Sequence, residues 1–222
     1  MLTGLSRYLR SIMAQEGSNF KRGYEDPWPP VRGDYLVGDP NAGVAVATLA
    51  SPLFVRAGSD LPPYMGAAIY GQCKTENLGV EKIVANVISN CNIRFLIISG
   101  VESKGHLPGN TLLALHRNGI DEQGRIIGSK GAIPFIQNLQ PEAIRRFQRQ
   151  VELIDCIGLE DEAEIERLVS RYNLLAEPYP EEPFVVVRRK AALQEILMGE
   201  GDLFFGANVF MDTRAWQIAI TG

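Results

Sequence analysis

The sequence predicts an α/β protein whose mainly parallel sheet carries helices on both faces. Two short apolar runs bounded by turn residues, Val44-Ala-Val-Ala-Thr-Leu49 and Ile93-Arg-Phe-Leu-Ile-Ile98, have the length and composition of buried strands. Amphipathic stretches of helical period lie between and after such runs. Strands that alternate with helices pair in parallel, because each crossover returns the chain to the same end of the sheet. Ligands of such sheets bind beyond the carboxyl ends of the strands. That rule points at three glycine-rich loops, 50–76, 99–107 and 128–134.

Residues 1–40 read as an N-terminal arm. Leu5, Tyr8, Leu9 and Ile12 repeat at helical spacing. Asp26-Pro-Trp-Pro-Pro30 is expected to be extended, since proline restricts the residue before it. Gly33, Gly38 and Pro40 add turns. The main domain, 41–183, opens with the strand at Val44. The segment 51–76 reads as loop, with Pro52, Pro62, Pro63, Gly66 and Gly71. Asn77 then caps a helix that places Val80, Ile83, Val84, Val87 and Ile88 on one face and closes at Asn90. After the strand at Ile93, a loop leads to Pro108 in a first helical turn, and Gly119 stands just past that helix.

Gly128 to Pro134 is a tight loop, and Pro141 opens a helix with Ile144, Phe147 and Val151 on a stripe. Val151 to Ile157 reads as the next strand. Residues 160–172 form a helix with acids in its first turn and Ile165, Leu168, Val169 and Tyr172 on one face. A Pro-rich connection, Glu177 to Pro183, leads to a C-terminal β-rich extension, 184–222. Its expected strands are Phe184-Val-Val-Val187, Leu203–Phe210 and Trp216–Ile220, the last two as a hairpin.

Composition excludes several classes. The net charge of -4 argues against a nucleic-acid surface. Arg145, Arg146 and Arg149 cluster on one expected helix and read as a solvated face. Cys73, Cys91 and Cys156 are widely spaced and form no CxxC pair, so zinc and iron–sulfur sites lack support. An odd number of free thiols fits a reducing compartment, and the expected location is cytoplasmic. The first twenty residues lack the continuous apolar region of a signal peptide. No run approaches the roughly 18 apolar residues of a membrane span. A GxGxxG fingerprint, a Walker loop and a GxSxG elbow are all missing, which disfavours a nucleotide-binding enzyme.

His106 is the first candidate for chemistry. It lies in Ser99-Gly-Val-Glu-Ser-Lys-Gly-His-Leu-Pro-Gly109, between a strand and a helix, where Gly105 and Gly109 let a bulky group approach the backbone. A neutral imidazole suits a borderline transition metal. The alternative is a surface or capping histidine. His116 sits in the last turn of a helix, where it suits the dipole and the free carbonyls. Gly71-Gln-Cys-Lys-Thr-Glu-Asn-Leu-Gly79 opens a helix N-terminus suited to a phosphate or an amide carbonyl. A helix cap made by Thr75 and Asn77 explains the same loop without a ligand.

Several stretches, in order, resemble the tetrahydromethanopterin S-methyltransferase A protein, the corrinoid-carrying component of methyl transfer to coenzyme M. They are Trp28-Pro, Gly33-Asp-Tyr-Leu-Val-Gly38, Gly71 to Lys82, Ile93 to Gly100, Lys104-Gly-His106 with Gly109, Leu115-His-Arg-Asn-Gly-Ile120, Gly131-Ala-Ile-Pro-Phe135 with Asn138-Leu, and Phe147-Gln-Arg-Gln-Val151. The resemblance covers roughly residues 28–157.

It implies a Rossmann-like fold, a cobalamin-type corrinoid, and His106 as the lower axial ligand of cobalt. The implied cofactor site comprises Gly100, Glu102, Lys104, Gly105 and Gly109 around His106, with Lys74, Thr75, Glu76 and Asn77, and Gly131, Ala132, Ile133 and Pro134. The implied activity is methyl transfer through cobalt from a pterin-type donor to a thiol-type acceptor, together with partner methyltransferase proteins. The wider corrinoid pattern is Asp-x-His-x-x-Gly. Here Lys104 stands where the aspartate would be, so another carboxylate must hold the histidine, with Glu102 and Glu76 the first candidates. Membrane-bound family members carry a C-terminal anchor helix, whereas Leu203–Ile220 reads as strands. From a different class, a cofactor-free interaction or assembly module on the same fold is the competing expectation.

Overall fold

Strands β2 (Val44–Ala47) and β4 (Phe95–Gly100) are apolar on both faces and pair in parallel at the centre of a five-stranded sheet. The structure, a computed structural model, describes residues 23–24, 27–52, 64 and 66–186, and strand segments between 203 and 220. The sheet order is β1-β3-β2-β4-β5, with β1 (Tyr35–Val37), β3 (Ile69–Gly71) and β5 (Glu152–Ile157). Only β1 is antiparallel to its neighbour. The α/β class and the mainly parallel sheet are as the sequence predicts.

Four helices cover the sheet: α1 (Leu78–Ile88), α2 (Pro108–Asn118), α3 (Pro141–Gln150) and α4 (Glu162–Asn173). The alternation within β2 and β4 divides the core. Ala45, Ala47, Leu96 and Ile98 face Val84 of α1, Leu112 and Leu115 of α2 and Phe147 of α3. Val44, Val46 and Ile97 face Ile165 and Val169 of α4. Each fully buried aliphatic side chain contributes about 1.5–3 kcal/mol relative to its exposed form. The expected ends hold: Asn77 caps α1, Pro108 and Pro141 sit in first turns, and Gly119 follows α2 at φ 71°.

Several expectations need correction. The segment 51–76 is not loop throughout, since β3 lies within it and pairs with both β1 and β2. A three-residue strand among glycines and prolines has too little pattern to stand out. Residues of the expected arm join the sheet as β1, and Val31 and Trp28 dock on α1: Val31 exchanges two hydrogen bonds with the Asn86 side chain, and Trp28 Nε1 donates to the Asn86 carbonyl. Phe184 to Val186 form no strand; Phe184 N–H donates to Ile88 O, and both Phe184 and Val186 pack on the core. The helix expected over Leu5–Ile12, and Val187, fall outside the described residues.

Arg146 is not solvated but 3% exposed. It bonds to Gln150 Oε1, Glu181 Oε2, Cys91 Sγ and the Glu182 carbonyl, and its guanidinium lies over Tyr179. Arg145 and Arg149 are exposed as expected.

Residues Val187–Gly222 make a second unit. Within it β6 (Leu203–Phe204), β7 (Val209–Asp212) and β8 (Gln217–Ile220) form an antiparallel sheet in that order. The expected hairpin is β7–β8, while the run Leu203–Phe210 is two strands.

The chain enters β2, moves outward to β3, then crosses back to β4 on the other side of β2. This reversal creates a crevice at the carboxyl ends of β2 and β4, where the loops after β3 and β4 converge.

Candidate functional site

His106 and Glu76 form the centre of the site. Glu76 lies on the loop after β3, and its side chain is 2% exposed. His106 lies on the loop after β4, and its side chain is 53% exposed. Their loops leave strands separated by β2, yet His106 Nδ1 stands 2.7 Å from Glu76 Oε2. The other carboxylate oxygen accepts from the Ile133 amide at 2.7 Å. Burial pushes the Glu76 carboxyl up, but its own amide, the Ile133 amide and the His106 ring outweigh that and hold it below the usual carboxylate value. An ionised carboxylate only accepts, so Nδ1 carries the proton. In the neutral ring Nε2 then holds the lone pair, and it has no hydrogen-bond partner among the described residues.

The third loop completes the cradle. A Cβ on Gly131 would lie 2.5 Å from the His106 carbonyl oxygen and 2.8 Å from Glu76 Cγ. Glycine here is therefore required by close approach of the three loops. Gly105, at φ 82°, has nothing within 4 Å of an added Cβ and leaves the space beside His106 open. Ala132 and Ile133 are exposed next to the pair, while Pro134 is buried and its carbonyl accepts from Ile126.

Other expected site residues serve the scaffold. Glu102 does not touch His106; its two oxygens accept from the Gly109 and Asn110 amides and cap α2. Thr75 Oγ1 accepts from Gly79 N–H and Asn77 Oδ1 from Leu78 N–H, so the polar loop does cap α1. Gly100, at φ 77°, would clash with the Thr48 carbonyl if it carried a Cβ, and Gly109 with Leu49 and Ile157. Lys74 and Lys104 are exposed. His116 Nε2 donates to the Val151 carbonyl at 2.7 Å and its ring meets Phe147 edge-on, tying α2 to the end of α3 rather than capping its own helix. Cys73 and Cys91 are buried, and all three cysteines are free.

Sequence reasoning missed Asn110, Thr111 and Ser129. Asn110 Oδ1 accepts from Lys130 N–H, and Thr111 Oγ1 is within 2.7 Å of Ser129 Oγ. The sequence signals are the polar pair Asn110 and Thr111 in the first turn of α2 and the position of Ser129 in the glycine-rich loop 128–134.

Comparison with known proteins identifies the family. Residues 21–194 match the family of tetrahydromethanopterin S-methyltransferase A subunits. The chain belongs to this family. It is 52% identical over 194 residues to a Methanosarcina acetivorans protein named as the A component of a methyltransferase Mtx, covering 87% of this chain and 94% of that one. A Methanosarcina barkeri protein of the same name is 49% identical over 88% of this chain and 96% of its own length. The first of the numbered tetrahydromethanopterin S-methyltransferase A proteins of Methanobrevibacter ruminantium is 56% identical over 142 residues, 64% of this chain and 56% of that one. Membership thus places the chain among methyltransferase A subunits, and the match takes in all three loops around His106. No described helix is long and apolar enough to cross a membrane.

Proposed function

We propose that this family member carries a corrinoid and that His106 is the axial ligand of its cobalt. The observation that carries the proposal is the contact of Nδ1 with a buried carboxylate at 2.7 Å, which leaves Nε2 on a half-exposed ring beside an open glycine. A ligating histidine characteristically donates its other N–H to a carboxylate, which fixes the ring and raises its basicity. The donor set also fits, because a metal carried in a macrocycle would need a single donor from the protein, and Nε2 of His106 would supply it. Among the described residues no group of three or more His, Cys, Asp or Glu side chains converges on a metal position.

When bound, the corrinoid supplies the metal centre that takes up and gives away the methyl group. The residues of this chain bind and orient. Glu76 keeps the proton on Nδ1 at all pH values where it is ionised. Ile133 N–H and Gly131 hold Glu76 and the His106 backbone in register. The exposed surfaces of Gly105, Ala132 and Ile133 offer a platform of small and apolar groups, with Lys104 and Lys74 at its edge. Glu102 fixes the His106 loop to α2. Partner methyltransferase proteins, a pterin-type donor and a thiol-type acceptor complete the proposal, in keeping with the names of the relatives, and a cytoplasmic location is proposed with them.

The test is reconstitution of the wild type and His106→Ala with aquocobalamin. The visible spectra are expected to differ while circular dichroism stays the same, since His106 lies on a loop and fills no core volume. Identical visible spectra contradict the assignment.

A further inference from the structure

The His106–Glu76 pair rests on a second layer of groups. Thr111, fully buried in the first turn of α2, places Oγ1 2.9 Å from the Leu107 carbonyl and 2.7 Å from Ser129 Oγ. Ser129 Oγ accepts from the Gly131 amide at 3.1 Å. A hydroxyl has one proton to give. Leu107 O and Gly131 N–H fix the direction at each end, so the order is Gly131 N–H to Ser129, Ser129 O–H to Thr111, and Thr111 O–H to Leu107 O. The chain of bonds joins the residue after His106 to the glycine that lies under both His106 and Glu76. Leu107 holds a left-handed conformation, φ 47° and ψ 54°, unusual for a residue with a side chain. It has no side-chain cap of its own, and Thr111 bonds to its carbonyl with both Oγ1 and its amide.

We infer that Thr111, acting with Ser129, is a positioning residue that sets the direction of the His106 ring and keeps Nδ1 on Glu76. It touches neither the ring nor any bound group; it acts through the Leu107 turn and the Gly131 loop. Asn110 supports the same link from the other side through Lys130 N–H. This inference rests on the reading of His106 as a ligand for its purpose, but its geometry stands in the protein without cofactor.

The test therefore begins on the cofactor-free protein. Long-range proton–nitrogen NMR on 15N-histidine reports which ring nitrogen of His106 carries the proton. Wild type is expected to show Nδ1–H. Thr111→Val keeps the shape of the side chain and removes the hydroxyl; it is expected to give a mixture of tautomers. Loss of one buried hydrogen bond corresponds to roughly a fivefold change in that equilibrium. Thr111→Ser restores the hydroxyl and is expected to restore the wild-type signal. Ser129→Ala breaks the link in a less buried position and is expected to match Thr111→Val, so a folding failure of the latter leaves the test intact.

With aquocobalamin, Thr111→Val is then expected to weaken binding about fivefold, and the Thr111→Val/Ser129→Ala double variant no more than either single one. A wild-type tautomer in both Thr111→Val and Ser129→Ala overturns the inference. So does a shift that Thr111→Ser fails to restore, because the role would then lie in the lost methyl contact. If the tautomers shift as expected but His106→Ala leaves the cobalamin spectrum unchanged, the ligand reading fails and the positioning inference stands.

Discussion

Replacing Glu76 by Gln tests how the buried carboxylate acts on His106. The substitution keeps the volume of a side chain that is 2% exposed and removes its charge. The two oxygens now serve Nδ1–H of His106 and the Ile133 amide, each at 2.7 Å. A glutamine has one carbonyl oxygen and one NH2 group. If the oxygen faces Ile133, the NH2 faces Nδ1 and forces the proton onto Nε2, which destroys the lone pair needed for a metal. If the oxygen faces His106, the NH2 meets the Ile133 N–H and two donors confront each other. Either arrangement loses a charge-assisted bond of about 1.5–3 kcal/mol. That corresponds to a loss of roughly 10–100-fold in corrinoid affinity, in the range found when partners of metal ligands are removed. Calorimetric titration with aquocobalamin measures the affinity, and the visible spectrum reports ligation. An affinity within twofold of wild type and an unchanged spectrum refute the reasoning.

Three further outcomes follow from the same geometry. Gly131→Ala drives a Cβ against the His106 carbonyl and Glu76 Cγ, so it is expected to cost about 1–3 kcal/mol in urea unfolding and to weaken aquocobalamin binding together with stability. Arg146→Ala removes the buried guanidinium that grips Glu181 and the Glu182 carbonyl; it is expected to cost about 2–4 kcal/mol and to open residues 177–186 to limited proteolysis. Burial pushes the Cys73 thiol up to about 12 and the Tyr64 hydroxyl up to about 12. A raised native value gives stability that is complete below the unfolded value and is lost as pH rises toward the native one. Unfolding free energy is therefore expected to fall between pH 9 and about 12, and Cys73→Ala to flatten that fall, as read by urea midpoints across the range.

Long, strongly patterned elements were legible in the sequence. The apolar stripes of α1 and α4 and the prolines that open α2 and α3 give type and position from local chemistry alone. β3 was not legible, because three residues carry no period and its place depends on pairing with strands distant in the chain. Parallel-sheet topology points to Glu76, since its loop and that of His106 are expected to meet at adjacent strand ends; the loops do meet, but they leave strands on opposite sides of β2. Sequence proximity favours Glu102, four residues before His106, but both of its oxygens are engaged by the amides that open α2. Arg146 illustrates the converse failure. Charge clustering reads as solvated until a returning segment, here Tyr179 to Glu182, covers it. Thr111 and Ser129 carried almost no signal, since a hydroxyl's partners are set by tertiary placement.

The most direct test of the account is electron paramagnetic resonance of the protein loaded with cob(II)alamin, prepared with 14N- or 15N-histidine. With only two histidines in the chain, substitution assigns the signal. Ligation by His106 is expected to give superhyperfine splitting that changes from triplets to doublets with 15N-histidine, survives His116→Ala and disappears in His106→Ala. Splitting that ignores the histidine label, or that follows His116, would contradict it.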